Sequence, residues 1–487
     1  MTPTSSPDFS GGLRAMAREF SGLTSDSRKV EPGFLFAALS GANTDGARFV
    51  RDAVARGAAA VLGTPALEAE TAALGVRFIA APNPRHALAA LAAAFYDAQP
   101  GHVAAVTGTK GKSSIVAFLR EIWTHNGRAA ASLGTVGVIG PRGARPLSHT
   151  TPDPVEIHAL LAALAEEGVT HLAVEASSHG LDQHRLDGVR IQACGFTNIT
   201  RDHMDYHATF DHYLAAKLRL FSEVVAEGGV AVVNADAQHG DAFIAAAQRR
   251  GLTLLTVGEV GTFITLLERH SIGDAQQLVL RHDGRIYTVT LPLAGAFQAS
   301  NALVAAGIAI GLGEDADHSF AALATLKGAP GRMEKVAFAA TGAPIYVDYA
   351  HTPDSLEKVL EALRPHTTGR LHVVFGCGGD RDRGKRPLMG AIAAKLADTV
   401  IVTDDNPRTE DAAAIRQQIL AAAPGAREIG DRQEAIRTAI AGLGQGDVLV
   451  IAGKGHETGQ YINGVTHPFS DREEAVKAAQ SGGGVPA

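Results

Sequence analysis

The sequence predicts an α/β protein of about three domains built on parallel sheets. Three observations carry that prediction. Its 487 residues exceed what one ordinary hydrophobic core organises. Seven short β-branched or apolar runs end in glycine or polar residues: HVAAVTGTKG, HLAVEASSHG, GFTNITRDH, IYVDYAH, LHVVFGCGGD, TVIVTDDNPR and DVLVIAGKGHE. Between most of them lie Ala/Leu-rich stretches of helical period, such as Val155 to Glu167 and Asp354 to Leu363, and strands alternating with helices form parallel sheets. Ligands of such sheets sit beyond the carboxyl ends of the strands, where each of these runs carries its chemically active residues.

Residues 1 to about 98 hold no phosphate loop, but TSDSRKVEPGFLFAALSG and the Ala-rich run Leu88 to Tyr96 predict a small α/β unit. A Gln-Pro-Gly turn at 99 to 101 then leads into HVAAVTGTKGKSSIVAFLREIW, which reads as strand, glycine turn and helix. In that turn Gly108 and Gly111 let backbone N–H groups approach phosphate oxygens, with Thr109, Lys110 and Ser114 beside them. Lys112 supplies a point charge, and Ser113 offers magnesium a hydroxyl at the helix N-terminus. A plain tight βα turn is the competing reading, because G-x-x-G-K-S is two residues shorter than the general G-x-x-x-x-G-K-[ST] form. The strand before and the helix after it favour phosphate.

Glu175 ends the strand HLAVE, and His203 and Asp205 stand in TRDHMDYH after another strand. A carboxylate and an imidazole there can converge on the metal of the loop, and oxygen ligands with one imidazole suit Mg2+ or Mn2+. With 20 histidines in the chain, a polar loop with incidental histidines competes on equal terms; a zinc site of His203, Asp205 and His207 is a third option. FDHYLAAKLRLF places Phe210, Leu214, Lys217 and Phe221 on one helical stripe, so Lys217 falls on the face expected to be buried. A lysine there ordinarily snorkels. The functional alternative is an amine kept neutral by a depressed pKa and open to chemical modification.

The uncharged run Leu291 to Gly313 is long enough to raise a membrane question, but Pro292, Gln298, Ser300, Asn301 and several glycines interrupt it. A core strand followed by a buried helix is expected. A second breaker, KGAPGRMEK at 327 to 335, separates the central domain from a C-terminal α/β unit. Forty-four Lys+Arg against 51 Asp+Glu give a net charge of -7, which argues against a nucleic-acid footprint or a polybasic membrane patch. The N-terminus lacks the basic cap and apolar stretch of a secretory signal. Cys194 and Cys377 form no CxxC pair, so a reducing cytoplasm and neither disulfides nor a cysteine zinc site are expected.

Ten motifs occur in order: TSDSR, TGTKGKSS, HTTPD, EASSHGLDQHR, TNITRDHMDYH, GRME, VDYAHTPD, GCGGDRDRGKRPLM, TDDNPRTE and AGKGHE. In these residues the chain resembles the Mur ligase family over nearly its whole length, and within it the branch that adds the third residue of the peptidoglycan stem peptide. The resemblance implies three domains: 1–98 for the UDP end of UDP-N-acetylmuramoyl-L-alanyl-D-glutamate, 99–331 for ATP and magnesium, and a Rossmann-like 332–487 that brings the amino acid and closes over the site. It places Ser25, Ser27 and Ala42, Asn43 and Thr44 near the uridine moiety. Thr150, Thr151, Ser177, Gln183 and Arg185 would contact the muramoyl-dipeptide, with His149 nearby. Glu175, His203 and Lys217 match the magnesium site, Lys217 as an N6-carboxylated lysine, with Lys112 and these three as the catalytic set. Asn301, Arg332 and Asp348 address the nucleotide, with His351 close by. Lys110 and Ser113 stand where the family commonly has Asn and Thr. Ser25 replaces an often apolar residue.

The chemistry implied is transfer of the ATP γ-phosphoryl group to the D-glutamate carboxylate and attack of an amine on the acyl phosphate, with the breaker at Gly328 to Gly331 as a hinge. In the family, Asp405, Asn406, Pro407 and Arg408 (DNPR) go with meso-2,6-diaminopimelate, whose distal carboxylate pairs with the arginine; Arg381, Gly453 and Glu457 complete that pocket. A helix-capping Asx-Pro turn accounts for Asp-Asn-Pro but not for Arg408. L-Lysine or L-ornithine stays open as the added amino acid. The expected partners are therefore small molecules, with no nucleic acid and no membrane span, and the chain is expected to act as a cytoplasmic monomer. Rival readings are a sister ligase, such as folylpolyglutamate synthase, and an ATP-binding switch that ligates nothing. DNPR with KGHE weighs against the first; Glu175, Lys217 and His203 weigh against the second.

Overall fold

All seven expected strands form, and each pairs in parallel with at least one neighbour. The structure, a computed structural model, describes residues 9–41, 45–202, 204 and 206–487. The chain divides into two units: Met1–Lys112 with Gly127–Val233 and Ala237–Leu255, and Ser113–Asn126 with Asn234–Asp236 and Thr256–Ala487.

The first unit carries two sheets among the described residues. A parallel one runs in the order Gly22–Thr24, Phe34–Ala37, Ala60–Gly63, Arg77–Ala80, and the Ala-rich run lies in the helix Pro84–Tyr96, whose Leu88, Leu91 and Ala92 join its core. In the other, Val230–Asn234, Ala193–Phe196, His102–Thr107, His171–Glu175 and Ala130–Gly134 lie side by side in parallel. Two antiparallel strands, Gly137–Gly140 and Gly143–Arg145, extend it. Its apolar alternation fills a core of Val103, Leu133, Leu172, Val174 and Phe196, all fully buried, each large side chain contributing roughly 1.5–3 kcal/mol.

Asp187, nearly buried, is the polar hub of this unit. Its Oδ2 lies 2.7 Å from Nδ1 of both His86 and His184, and Arg219 Nη2 donates to both its oxygens at 2.8 Å. Asn83 Oδ1 accepts from the His86 N–H at the helix start, so its Nδ2 donates to His184 Nε2 and the His184 proton sits on Nδ1, facing Asp187. These three side chains are the one His/Asp cluster of metal-ligand spacing among the described residues, and the arginine and the fixed tautomer make it a hydrogen-bonded junction. Burial raises the Asp187 pKa, but the bonds from His184, His86 and Arg219 outweigh it and hold it at about 2. A depressed carboxylate pKa stabilises the fold above the ordinary value of 3.8 and loses that effect as pH falls toward about 2. Asp187→Asn is therefore expected to lower stability at pH 7 by about 3 kcal/mol; thermal melts should also show a shallower stability loss between pH 4 and 2 than in the parent.

In the second unit, Ile264–Ile272, Ala275–His282 and Arg285–Leu291 form an antiparallel meander. As expected, the run from Leu291 is a strand end followed by the buried helix Ala296–Gly311, and no helix among the described residues is long and apolar enough to cross a membrane. The C-terminal sheet runs Arg427–Glu428, Thr399–Val402, Leu371–Phe375, Val448–Ala452, Pro344–Asp348, Glu334–Phe338, Val485–Pro486. The first five are mutually parallel, and Glu334–Phe338 is antiparallel to both its neighbours. The late strand Val448–Ala452 is thus inserted between two earlier ones, which creates the crevice at the carboxyl ends where such sheets take ligands. Cys194 and Cys377 are buried thiols without a disulfide.

Candidate active site

The phosphate loop leaves the strand His102–Thr107 and enters the helix Lys112–His125. Gly108 has φ 148°, and a Cβ there would collide with Thr197 Oγ1, so only glycine fits. The loop is shaped by the TNIT segment that follows the adjacent strand Ala193–Phe196. Thr109 N–H donates to Asn198 O at 2.8 Å, Lys110 N–H to Asn198 Oδ1 at 3.1 Å, and Thr197 Oγ1 to Lys110 O at 2.6 Å. Thr109 Oγ1 lies 2.8 Å from Tyr213 Oη. The Lys110 ammonium, unassigned from sequence beyond phosphate contact, lies 3.5 Å from the Asp202 carboxylate in a half-exposed pair, an arrangement that stabilises little. Lys112 Nζ donates to Gly108 O at 2.9 Å and to Thr109 O at 3.0 Å. Ser113 and Ser114 are buried in the first helical turn.

Lys217 is 1% exposed, so it does not snorkel. Its Nζ donates to Gly108 O at 2.8 Å, the same carbonyl that Lys112 uses, and sits 4.7 Å from the Tyr213 ring centroid. Burial, and next the Lys112 cation, push its pKa well below the ordinary lysine value. Its helix, Phe210–Arg219, buries Tyr213, Ala216 and Lys217, with Leu220 following in a π turn. Phe210 and Leu214 of the expected stripe are only partly buried, so the inward face is rotated by about one residue.

Glu175, 1% exposed, accepts from Thr135 N at 2.8 Å through Oε1 and from Thr135 Oγ1 at 3.2 Å through Oε2. These bonds offset the desolvation of a buried carboxylate. His203 and Asp205 lie outside the described residues, as do Ala42, Asn43 and Thr44; His207, the remaining member of the zinc option, is buried. Thr150 Oγ1 bonds Thr135 Oγ1 at 3.0 Å, and Thr151 Oγ1 bonds Glu175 O at 2.9 Å and Ser177 Oγ at 3.0 Å. Arg185 Nη1 donates to Thr151 O at 2.7 Å and Nη2 to Gln183 Oε1 at 2.8 Å. The four residues Thr151, Ser177, Gln183 and Arg185 are thereby one network adjoining Glu175. His149 bonds Ser148 at 3.0 Å, and Ser25 and Ser27 flank Asp26, which caps the turn Ser27–Lys29.

In the second unit, Asp348 accepts from Met333 N and Ala350 N, each at 2.7 Å. The Arg332 guanidinium lies 4.6 Å from the Tyr349 ring centroid, His351 Nδ1 is 2.8 Å from Tyr349 O, and Asn301 is buried, donating to Gln298 Oε1 at 3.3 Å. Beyond the carboxyl ends of Thr399–Val402 and Val448–Ala452, which flank Leu371–Phe375, Asp405–Arg408 meets Gly453–Glu457. Asn406 Nδ2 donates to Glu457 Oε2 at 2.9 Å. Gly453 has φ 119°, and a Cβ on it would lie 2.6 Å from Asp405 Oδ2. Arg408 itself has φ 54°, a strained value for a side-chain-bearing residue, held by Arg408 N–H to Tyr461 O at 3.0 Å and Asn463 N–H to Arg408 O at 2.7 Å. Its Nη1 donates to Gly379 O at 2.7 Å. Arg381 is exposed. Sequence reading missed the fully buried Arg386, which donates to Glu410 at 2.9 and 3.1 Å and to Gln418 at 2.9 Å. It also missed Lys454, although both stand inside quoted motifs.

A glycine loop ending in a lysine, on a parallel sheet whose next strand end presents a buried carboxylate, defines a nucleotide-dependent α/β enzyme. Family models described as "Mur ligase family, catalytic domain", "Mur ligase middle domain" and "Mur ligase, glutamate ligase domain" match residues 19–96, 106–309 and 331–455. The chain belongs to the Mur ligase family and is an ATP-dependent, amide-bond-forming ligase. It is 57% identical over 469 residues, 96% of each chain, to UDP-N-acetylmuramoyl-L-alanyl-D-glutamate–2,6-diaminopimelate ligase of Bradyrhizobium diazoefficiens. A solved structure of a ligase of that name is 36% identical, covers 95% of each chain and superposes with a TM-score of 0.72. MurF of Thermotoga maritima in complex with ADP shares the fold at 18% identity and a TM-score of 0.59, covering 96% of this chain and 98% of its own.

Proposed function

We propose that this ligase joins meso-2,6-diaminopimelate to UDP-N-acetylmuramoyl-L-alanyl-D-glutamate in peptidoglycan precursor synthesis, releasing ADP and phosphate, and acts as a cytoplasmic monomer. The likeness to diaminopimelate ligases along nearly the whole chain supports it. The observation that carries it is the junction of Asp405–Arg408 with Glu457, where a guanidinium and a carboxylate stand on loops beyond the carboxyl ends of two strands of one parallel sheet, matched to a substrate bearing both carboxylates and amines. Matched segments 19–96, 106–309 and 331–455 support domains at 1–98, 99–331 and 332–487.

In this reading the D-glutamate carboxylate oxygen takes the γ-phosphoryl group and ADP leaves. The amine nitrogen then attacks the carbonyl carbon, phosphate departs with the C–O bond electrons, and the nitrogen loses a proton. Lys112 neutralises charge on the phosphates. Thr151, Ser177, Gln183 and Arg185 orient the dipeptide end, Ser25 and Ser27 the uridine end, and Arg332 and Asp348 the nucleotide.

The residues present fit Mg2+ on one condition. An ammonium repels a cation, yet Lys217 lies beside the phosphate loop, buried, with its amine driven toward neutrality. A neutral Nζ would add to the carbon of CO2 and lose a proton, giving a carbamate, and Lys217 in that form would hold the ion with Glu175 and His203. Bound there, Mg2+ would offset charge on the phosphoryl group in transfer.

The deciding experiment offers meso-diaminopimelate, L-lysine and L-ornithine together with ATP and the UDP-dipeptide, reading product masses. Diaminopimelate product is expected in about 100-fold excess, with ADP formed only when both acceptor and amino acid are present. Preferential lysine or ornithine incorporation would overturn the specificity.

A further inference from the structure

Lys454 is a fully buried cation on the loop that follows Val448–Ala452. Its Nζ donates to Asn406 Oδ1 at 3.0 Å and to Glu457 Oε2 at 3.1 Å. Asn406 Oδ1 also accepts from Tyr461 N–H at 2.9 Å. Two donors on that oxygen fix which end of the amide is the carbonyl, so Nδ2 must point the other way, to Glu457 Oε2 at 2.9 Å. Glu457 Oε2 therefore carries two donors, from Lys454 and Asn406. Among the described residues Oε1 takes no hydrogen bond, and the side chain is 34% exposed. One carboxylate oxygen is locked and the other is presented outward.

We infer that Lys454 is a positioning residue of the amino-acid pocket: it holds Asn406 and Glu457 in the single arrangement that turns Glu457 Oε1 toward the ammonium of the incoming diamino acid. This rests on the assignment of that pocket made above. A lysine is suited to the task because its three donors satisfy two acceptors on different loops at once, and because its charge balances Glu457 without occupying Oε1. The same bonds tie together the DNPR loop, the KGHE loop and the strand Gly459–Ile462, whose Tyr461 O holds the strained backbone of Arg408.

Lys454→Met keeps the stem and removes the ammonium with both hydrogen bonds it donates. It is expected to raise KM for meso-diaminopimelate by about tenfold or more, leaving KM for ATP and for the UDP-dipeptide within about twofold. Glu457→Gln alone is expected to raise the same KM, and in the Lys454→Met background to add less than it does in the parent, because the two act through one carboxylate. Additive effects, or a Lys454→Met enzyme with unchanged diaminopimelate KM, would overturn the role of Lys454. An unchanged KM in Glu457→Gln would instead overturn the pocket assignment. Should Lys454→Met not accumulate as folded protein, Lys454→Gln, which keeps a polar but uncharged and shorter side chain, must give a raised diaminopimelate KM; an unchanged one overturns the inference equally.

Discussion

Replacing Lys217 with alanine is expected to reduce ligation by at least about 100-fold while leaving the fold intact. The side chain is buried, but its one hydrogen bond among the described residues runs to the Gly108 carbonyl, which Lys112 also serves, so the structural loss is small beside the chemical one. Removing the stem leaves a cavity, and a destabilisation of roughly 2 kcal/mol should appear in melting curves without preventing folding. ADP release and product mass measure the activity, and intact-protein mass in bicarbonate buffer looks for the CO2 adduct on the parent. Short carboxylic acids that enter the vacated space are expected to restore part of the rate. Full activity of the alanine variant without rescue would sink the metal-ligand role.

The second large effect concerns choice of amino acid. Arg408→Lys preserves charge but replaces a planar fork with a point, and is expected to lower kcat/KM for meso-diaminopimelate by about 30-fold. The parent guanidinium spends Nη1 on Gly379 O at 2.7 Å and has further N–H groups for a carboxylate in the same plane. A lysine ammonium cannot serve both in one geometry. The left-handed backbone at residue 408 is set by Tyr461 and Asn463 rather than by the side chain, so the loop should survive the exchange. Steady-state kinetics with each diamino acid test this, and unchanged constants would remove Arg408 from the pocket.

The strands and their chemically active ends were readable because burial on both faces forces continuous apolar runs, and because polar residues gather where a parallel sheet opens. The buried amine at Lys217 was readable from helical period even though the inward stripe is turned by about a residue, since a lysine flanked by Tyr213, Ala216 and Leu220 is enclosed in either phase. Other features depend on strand order, which local patterning does not encode. Lys454 meets Asn406 only because the strand Val448–Ala452 packs beside Leu371–Phe375, itself next to Thr399–Val402. Asp187 gathers His86 from a helix about a hundred residues earlier in the chain, and no spacing rule anticipates such a meeting. The support that Thr197 and Asn198 give the phosphate loop is likewise a matter of which strand is neighbour to which.

Late insertion of Val448–Ala452 between Leu371–Phe375 and Pro344–Asp348 also bears on how the protein is made. Every strand of that parallel block except this one leaves the ribosome earlier, yet the strands on either side of it cannot join until it arrives. Each holds an unsatisfied hydrogen-bonding edge through the synthesis of the residues between them, the kind of surface on which nascent chains pair wrongly or are held by chaperones. Chains halted before Val448 should accordingly be found aggregated or degraded, because the segment from Val448 to Glu457 completes both the parallel block and the pocket.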